Sequence, residues 1–147
     1  MRNIPSTMKS IQDQLAADFE YLDDWEERYA YLMDLGKEVQ GLPLEEKTTD
    51  NLIKGCQSRV WLTTRCENNR MWMSADSEAF IAKGIIALLI KVFNGQTPAD
   101  ILNETFDLPD RIGLTAHLSP GRANGLAGML ARIRHDASLA LATPNNN

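Results

Sequence analysis

The sequence has a deficit of positive charge and lacks any long apolar run. Lysine and arginine number 15 against 20 aspartates and glutamates, which gives a formal net charge of −5. Nucleic acids and anionic membranes attract basic surfaces, so neither is an expected partner. No run of about 18 apolar residues occurs, and residues 1–5 open no apolar segment of signal-peptide length. We expect a cytoplasmic protein with small-molecule or protein partners.

Residues of the types that build metal sites and covalent cross-links are also few. The 147 residues include two cysteines and two histidines, at positions 56, 66, 117 and 135. Protein metal sites bring three or four such ligands together at short spacings, and no spacing of that kind occurs in the sequence. An acidic cytosolic chain of this length also has little need of a disulfide. We therefore expect two free thiols.

The rest of the composition is that of an ordinary soluble domain. Hydrophobic residues make up 44% of the sequence and charged residues 24%. A chain of this length can bury one hydrophobic core but not a second independent one. We predict a single domain over residues 1–142 and a disordered tail over residues 143–147, which read Thr-Pro-Asn-Asn-Asn.

The spacing of apolar residues predicts helices on both sides of a single β-hairpin. An amphipathic helix of about four turns is expected to be capped by Ser6 or Thr7. A second helix is expected to begin at Asp24, whose carboxylate can accept the amide of Glu27 as in a capping box. Residues 78–93 are apolar almost all the way round, which indicates the central helix of the core.

The β-type region lies between these helices. Residues 60–66 are rich in β-branched and aromatic side chains and are predicted to pair with residues 71–75 through a four-residue loop. Asp76 or Ser77 is then expected to cap the central helix. Further on, Ser119-Pro120 predicts the start of the last helix. The predicted fold class is α+β, a small antiparallel sheet packed by helices.

Cys56 stands out because its neighbours are polar. Residues 54–62 read Lys-Gly-Cys-Gln-Ser-Arg-Val-Trp-Leu, in which Gly55 permits a tight turn and a β-type run follows the sulfur. This placement predicts a loop tip that feeds a strand, with an exposed or half-exposed thiol. A small buried residue that ends a turn fits the local pattern equally well.

Several motifs along the chain agree in order and spacing with one known family. They are Gly55-Cys56-Gln57-Ser58-x-Val60-Trp61, Asp76-Ser77-Glu78-Ala79, Ile81-x-Lys83-Gly84, Trp25-Glu26-x-Arg28-Tyr29 with Leu35-Gly36, and His117-Leu118-Ser119-Pro120-x-Arg122-x-x-Gly125-Leu126. Together they resemble the SufE family of sulfur acceptors that serve cysteine desulfurases in iron–sulfur cluster assembly. The resemblance covers roughly Phe19 to Ala137, and several separated motifs are far more specific than one short pattern.

The resemblance implies a SufE/IscU-like fold and a function in sulfur relay. In SufE-like proteins the loop cysteine accepts the persulfide sulfur of a pyridoxal-phosphate-dependent cysteine desulfurase of the SufS/CsdA type, and that role would fall on Cys56. The chain would stimulate the desulfurase and hand sulfur on to an iron–sulfur scaffold or another sulfur-accepting protein. Pyridoxal phosphate would stay with the partner, so no cofactor and no metal are expected in this chain. The sequence leaves open whether the chain is a monomer or a homodimer.

The same resemblance nominates four supporting residues. Gly55 and Ser58 belong to the cysteine motif itself. Arg122 could be brought under the loop to favour the thiolate, because a guanidinium stays charged, but a surface or capping role fits it equally well. Asp76 could tether the loop, or it could only cap a helix. The family's Ser-Arg-Ser around this arginine is replaced here by Gly-Arg-Ala, so any hydrogen bond from those two serines is missing.

Two other functions are compatible with single features of the sequence. An iron–sulfur or metal assembly scaffold would need clustered ligands, which the spacing of cysteine and histidine does not provide. A thiol hydrolase could pair Cys56 with His117, but no local signature supports it. Structural roles are the simpler interpretation of both imidazoles, since His135 lies late in the last predicted helix, where a cation is favourable.

Overall fold

The computed structural model describes residues 6–143. Within this range the chain forms six α-helices, one two-stranded antiparallel sheet and three short 3₁₀ turns. The helices and strands are α1 (Met8–Glu20), α2 (Trp25–Lys37), β1 (Val60–Glu67), β2 (Arg70–Ser77), α3 (Phe80–Phe93), α4 (Pro98–Asn103), α5 (Leu108–Arg111) and α6 (Pro120–Leu141). The predicted α+β class is confirmed. None of the helices in this part of the chain has the length and apolarity that crossing a bilayer requires.

Side-chain caps fix where the first two helices begin, as the sequence predicts. Thr7 Oγ1 accepts the amide of Ser10 at 3.1 Å. Asp24 accepts the amide of Glu27 at 2.9 Å. Each bond satisfies an amide that the first helical turn leaves unpaired. The Glu27 carboxylate reaches back to the amide of Asp23 at 2.8 Å, one residue earlier than a capping box requires.

The core is organised around the crossing of α2 and α3, which meet through glycine. Nine of the 14 residues of α3 are buried, which confirms its predicted place at the centre. From the sequence, Gly36 fits either the end of α2 or a close helix contact, and the structure shows the contact. A Cβ at Gly36 would lie 2.7 Å from Gly84 N, and a Cβ at Gly84 would lie 2.5 Å from Leu32 O. Glycine at both positions lets the two backbones touch.

The hairpin turns in two residues and not in the predicted four. Glu67 pairs with Arg70, so the loop consists of Asn68 and Asn69, whose φ angles are 53° and 61°. Two positive φ angles define the turn that matches the twist of a hairpin, and asparagine tolerates them better than most residues. The prediction was wrong because polarity alone assigned four residues to the loop, whereas two asparagines with positive φ angles are enough to make the turn.

The second strand also runs further than predicted. Asp76 and Ser77 pair with the first two residues of β1, so neither caps α3, contrary to the sequence-based expectation. Helix α3 begins at Phe80 without a side-chain cap. Both polar side chains are buried, because the strand carries them beneath the chain segments that lead into β1.

Helix α6 packs against β1 and α4 and begins where the sequence predicts. Ser119 caps it by accepting the amide of Arg122 at 3.3 Å, and Pro120 follows as the first helical residue. Its buried residues are Gly125, Leu126, Met129, Ile133 and Ala137. The spacing of apolar residues in the sequence also predicts Leu130 on the inward face, but Leu130 is only half-buried.

The predicted tail lies almost wholly beyond the described residues. Thr143, its first residue, donates its amide to Ala140 O at 3.2 Å. Residues 144–147 are outside the described range, so the predicted disorder of the tail stays a prediction.

The first turn of α2 holds the segment that leads into α6. The Arg28 guanidinium donates to Ile112 O at 2.8 Å. The Tyr29 hydroxyl donates to His117 O at 2.7 Å. The Trp25 ring stacks on the His117 ring with centroids 3.9 Å apart. Two motifs that lie far apart in the sequence therefore meet, and together they fix the approach to α6.

We expect Gly84→Ala to destabilise the fold. In an ordinary helix interior alanine is favoured over glycine by about 1 kcal/mol, but here the added Cβ would lie 2.5 Å from the carbonyl oxygen of Leu32 and would force the helices apart. The free energy of unfolding, measured by urea denaturation, should fall by about 1–3 kcal/mol. Ala30→Gly, at an exposed position of α2, is the control for helix propensity alone. A gain in stability for Gly84→Ala would show that the helices do not cross at this glycine.

Candidate functional site

Cys56 lies at the tip of a loop whose two ends are joined by antiparallel backbone pairing. The amide of Ile53 donates to Val60 O at 2.8 Å, and the residues just outside this pair form an isolated antiparallel bridge. The chain turns at Gly55, where φ is +83°, a value that glycine adopts without steric strain. The structure thus places Cys56 on the predicted loop, and its thiol is half-buried.

Three glycines of α6 form the surface on which this loop rests. An added Cβ at Gly125 would lie 3.0 Å from Cys56 Sγ, and one at Gly121 would lie 2.8 Å from Gln57 Cβ. An added Cβ at Gly128 would lie 3.1 Å from the carbonyl oxygen of Lys54, at the start of the loop. The loop therefore sits directly on helix backbone, closer than side chains would allow. The spacing of i, i+4 and i+7 is visible in the sequence, although it does not by itself say what this face meets.

A small cavity of about 20 Å³ adjoins the Cys56 thiol. Ser58 of the loop and Arg122 of α6 contribute to its wall. The apolar side chains that line it come from β1, α3 and α6 and are Val60, Ala82, Ile85 and Met129. A space of this size holds one water-sized atom. There is therefore room beside the sulfur for about one additional atom.

The surroundings of Cys56 favour the neutral thiol. Burial raises the pKa of the Cys56 thiol above its ordinary value, because a thiolate there loses hydration. Arg122 lines the same cavity, and its Nη1 atom is buried with no hydrogen-bond partner among the described residues. The arginine is thus near the loop, as the resemblance implies, but in this arrangement its charge does not offset the effect of burial on the thiol.

Asp76 is bonded to the segment that precedes the cysteine loop. Its carboxylate accepts the amide of Leu42 at 3.2 Å, and it pairs with Lys47 at 3.0 Å. Lys83 of α3 lies 3.5 Å from the same carboxylate. Burial alone would raise the pKa of the Asp76 carboxyl, but these two lysines and two backbone amides outweigh burial and lower it. Asp76 therefore holds the chain segment that contains Leu42 and Lys47, and its bonds do not reach the loop that carries Cys56.

The contact with the loop that the sequence suggests for Asp76 is made by Ser77. The Ser77 hydroxyl donates to Arg59 O at 2.7 Å, and the Arg59 guanidinium pairs with the Glu78 carboxylate. These bonds fix the end of the loop to the junction of β2 and α3. A shift of one residue along a strand exchanges the two faces, so the sequence alone did not distinguish Ser77 from its neighbour.

The other candidate residues lie away from this cavity. His117 is not among its lining residues, and its ring is engaged with Trp25. Cys66 is a half-buried thiol on β1 beside a separate surface cavity of about 380 Å³. Both cysteines are free. Between residues 6 and 143, no group of three histidine, cysteine, aspartate or glutamate side chains is placed to hold a metal ion.

Comparison with known proteins gives the class of this chain. A family model described as an Fe-S metabolism associated domain, SufE, matches residues 13–137. An uncharacterized SufE-like protein of Rhizobium etli is 39% identical over 135 residues, which cover 88% of this chain and 91% of the relative. An uncharacterized SufE-like protein of Rhizobium meliloti is 38% identical over 130 residues, which cover 85% and 93%. The chain therefore belongs to the SufE family, and the resemblance seen in its motifs is confirmed.

A solved structure shows the same fold. The solution structure of a hypothetical protein from Thermus thermophilus superimposes with a TM-score of 0.75 over 90% of this chain and 97% of that protein. The two sequences are 21% identical, so this likeness shows the fold alone.

Alkylation of Cys56 should require a higher pH in the folded protein than in the unfolded chain. Because burial raises the pKa of Cys56, the folded protein holds less of the reactive thiolate at a given pH. In Cys66→Ser, the pH of half-maximal labelling by iodoacetamide should therefore lie above that of the same variant in urea. Equal midpoints would contradict the shift.

The raised pKa of Cys56 also makes the free energy of unfolding depend on pH. A folded-state pKa above the unfolded value contributes stability that is fully present below the unfolded pKa. That contribution is lost as the pH rises through the folded value.

Proposed function

We propose that this chain accepts one sulfur atom on Cys56, as a persulfide, from a cysteine desulfurase and passes it on to iron–sulfur cluster assembly. Membership of the SufE family supports the setting in Fe–S metabolism. The observation that carries the proposal is the position of Cys56. It is a half-buried thiol at a loop tip, beside a cavity with room for about one more atom.

The proposed transfer is an exchange between sulfur atoms that needs no external oxidant or reductant. The Cys56 thiolate attacks the terminal sulfur of the partner's persulfide, and a new S–S bond forms to Cys56 Sγ. The bond between that terminal sulfur and the partner's cysteine breaks, and its electron pair leaves with the partner's thiolate. In delivery, a thiolate of the next carrier attacks the same terminal sulfur, and Cys56 is released as a thiolate.

The two halves of this cycle place opposite demands on the loop. Acceptance requires Cys56 to reach the partner, whereas the loaded persulfide needs protection from water and stray thiols. The closed arrangement on α6 suits the second demand, since the thiol lies against Gly125 and beside the cavity. We infer that Cys56 swings out when the desulfurase docks and returns with the extra sulfur. A turn at Gly55, where an added Cβ would meet nothing within 4 Å, is compatible with this movement.

Arg122 is suited to hold the loaded sulfur. A persulfide ionises more readily than a thiol, and its anion would lie in the cavity that Arg122 lines. The guanidinium stays charged at any working pH. Its buried Nη1 atom has no other hydrogen-bond partner in the described part of the chain. The proposed role of Arg122 is therefore to bind the anion after loading and not to activate the resting thiol.

The chemistry that releases sulfur from cysteine belongs to the proposed partner. Cysteine desulfurases use pyridoxal phosphate, and we assign that cofactor to a SufS/CsdA-like desulfurase and not to this chain. This protein would act as its acceptor and activator, with an iron–sulfur scaffold or another sulfur-accepting protein downstream. Two free thiols suit a reducing compartment, so the proposed location is the cytoplasm.

Incubation with a cysteine desulfurase and cysteine should add the mass of one sulfur atom to Cys56. Intact-protein and peptide mass spectrometry, after free thiols are alkylated, locates the added atom. Cys66→Ser is the matched control and should load like the wild type. Cys56→Ser should carry no added sulfur and should not stimulate sulfide release by the desulfurase. Sulfur found on Cys66 alone, or undiminished stimulation by Cys56→Ser, would refute the proposal.

Removing the charge of Arg122 should shorten the lifetime of the loaded persulfide. Arg122→Met keeps an unbranched side chain but no charge, and Arg122→Lys keeps the charge as a control. After the desulfurase is removed and a small thiol is added, the half-life of the persulfide should fall about three- to tenfold in the Met variant, since a charge-assisted contact at a partly exposed site is lost. Mass spectrometry of samples taken over time measures the decay. The same half-life in the Met variant and the wild type would rule out this role.

A further inference from the structure

The tip of the cysteine loop is fastened to the start of α6 by one side-chain hydrogen bond. The Ser119 hydroxyl donates to Gln57 Oε1 at 2.5 Å. The same Ser119 Oγ accepts the amide of Arg122 at 3.3 Å as the helix cap. One oxygen atom therefore belongs both to the loop contact and to the start of the helix that carries Arg122 into the cavity.

Gly121 makes this hydrogen bond sterically accessible. An added Cβ at Gly121 would lie 2.8 Å from Gln57 Cβ and 3.0 Å from Gln57 Oε1. A larger residue would displace Gln57, which directly follows Cys56 in the chain. In the sequence, glycine at position 121 in place of the family's serine indicates only that a hydroxyl group is missing. In the structure the space left by the missing side chain is occupied by Gln57, which reaches across it to Ser119.

We propose that Gln57 and Ser119 form a latch that holds Cys56 in the closed arrangement, and that both are positioning residues for the sulfur transfer proposed above, on which this inference rests. When the latch is closed, Cys56 Sγ is held against Gly125 and beside the cavity. When it opens, the loop tip loses this polar contact with α6 and the thiol is free to leave.

The latch is weak enough for a docking protein to open. Both of its groups are exposed to solvent, so water competes for each of them and the net contribution lies at the low end for a hydrogen bond. A contact of this strength biases the loop towards the closed arrangement without locking it. A partner that covers the start of α6 could replace either group and so release Cys56.

The rate at which iodoacetamide labels Cys56, with no partner present, tests the latch. Gln57→Met keeps the side-chain length but removes the acceptor, and should raise the rate about two- to fourfold. Ser119→Gly removes the hydroxyl, weakens the start of the helix only slightly because glycine is tolerated at an N-cap, and should give the same increase. Because both changes break one bond, the double variant should label no faster than either single variant. Ser119→Thr keeps the hydroxyl and should label at the wild-type rate.

Gly121→Ala opens the latch by a different route. The added Cβ displaces Gln57 directly, so labelling of Cys56 should rise at least about fivefold. Alanine is a better helix former than glycine, so the start of α6 is not weakened by this change. An unchanged labelling rate in Gly121→Ala would show that Gln57 does not hold the loop closed.

Labelling of Cys66 in the same samples distinguishes loop opening from unfolding and should not change. Unchanged Cys56 labelling in Gln57→Met and Ser119→Gly, or increases that add in the double variant, would refute the latch. A parallel rise at Cys66 would assign the effect to unfolding and would refute it as well. Sulfur transfer is scored separately, by mass. A chain whose latch behaves as described but whose Cys56 never gains sulfur from a desulfurase would refute the proposed function and leave the latch standing.

Discussion

The contact between the cysteine loop and the bare backbone of α6 governs the rest of the site. The loop approaches so closely that a Cβ at Gly125 would lie 3.0 Å from Cys56 Sγ. This approach brings the thiol among apolar side chains of β1, α3 and α6, and the small cavity and the raised pKa of Cys56 both follow from it. It also places the sulfur beside the cavity that Arg122 lines. The surroundings of the Cys56 thiol thus depend on the absence of side chains at the glycines of α6 that the loop contacts.

The other elements serve to position this helix and the loop above it. The first turn of α2 holds the segment before α6 through Ile112 and His117. The end of the loop is fixed to β2 by Ser77. Helix α3 packs against both α2 and β2, and its contact with α2 is set by the glycine crossing. Motifs that are scattered along the sequence therefore help to position the elements that surround a single sulfur atom.

Features with local causes could be predicted from the sequence. The caps at Thr7, Asp24 and Ser119 are bonds between residues three apart, and the loop position of Cys56 followed from a glycine before a β-type run. The hairpin turn and the end of β2 at Ser77 could not be predicted in the same way. They depend on the backbone freedom of asparagine and on pairing with β1, and polarity alone reports neither.

Less of the site could be predicted from the sequence, because the site depends on contacts between residues that are far apart in the chain. The motifs showed that Cys56 and Arg122 belong to one family pattern, but a pattern does not say which atoms touch. The bond from Ser119 to Gln57 and the seat at Gly121 join residues far apart in the chain, and only the packing of α6 on the loop brings them together. The same packing buries the Cys56 thiol, and this burial raises its pKa.

A thiol that is kept neutral and half-covered is also a poor target for peroxide. Peroxide attacks the thiolate, first to give a sulfenic acid and then, irreversibly, sulfinic and sulfonic acids. By raising the pKa of Cys56 through burial, the closed loop withholds the anion that these reactions consume. The helix backbone on which the sulfur rests therefore also lowers the reactivity of Cys56 towards peroxide.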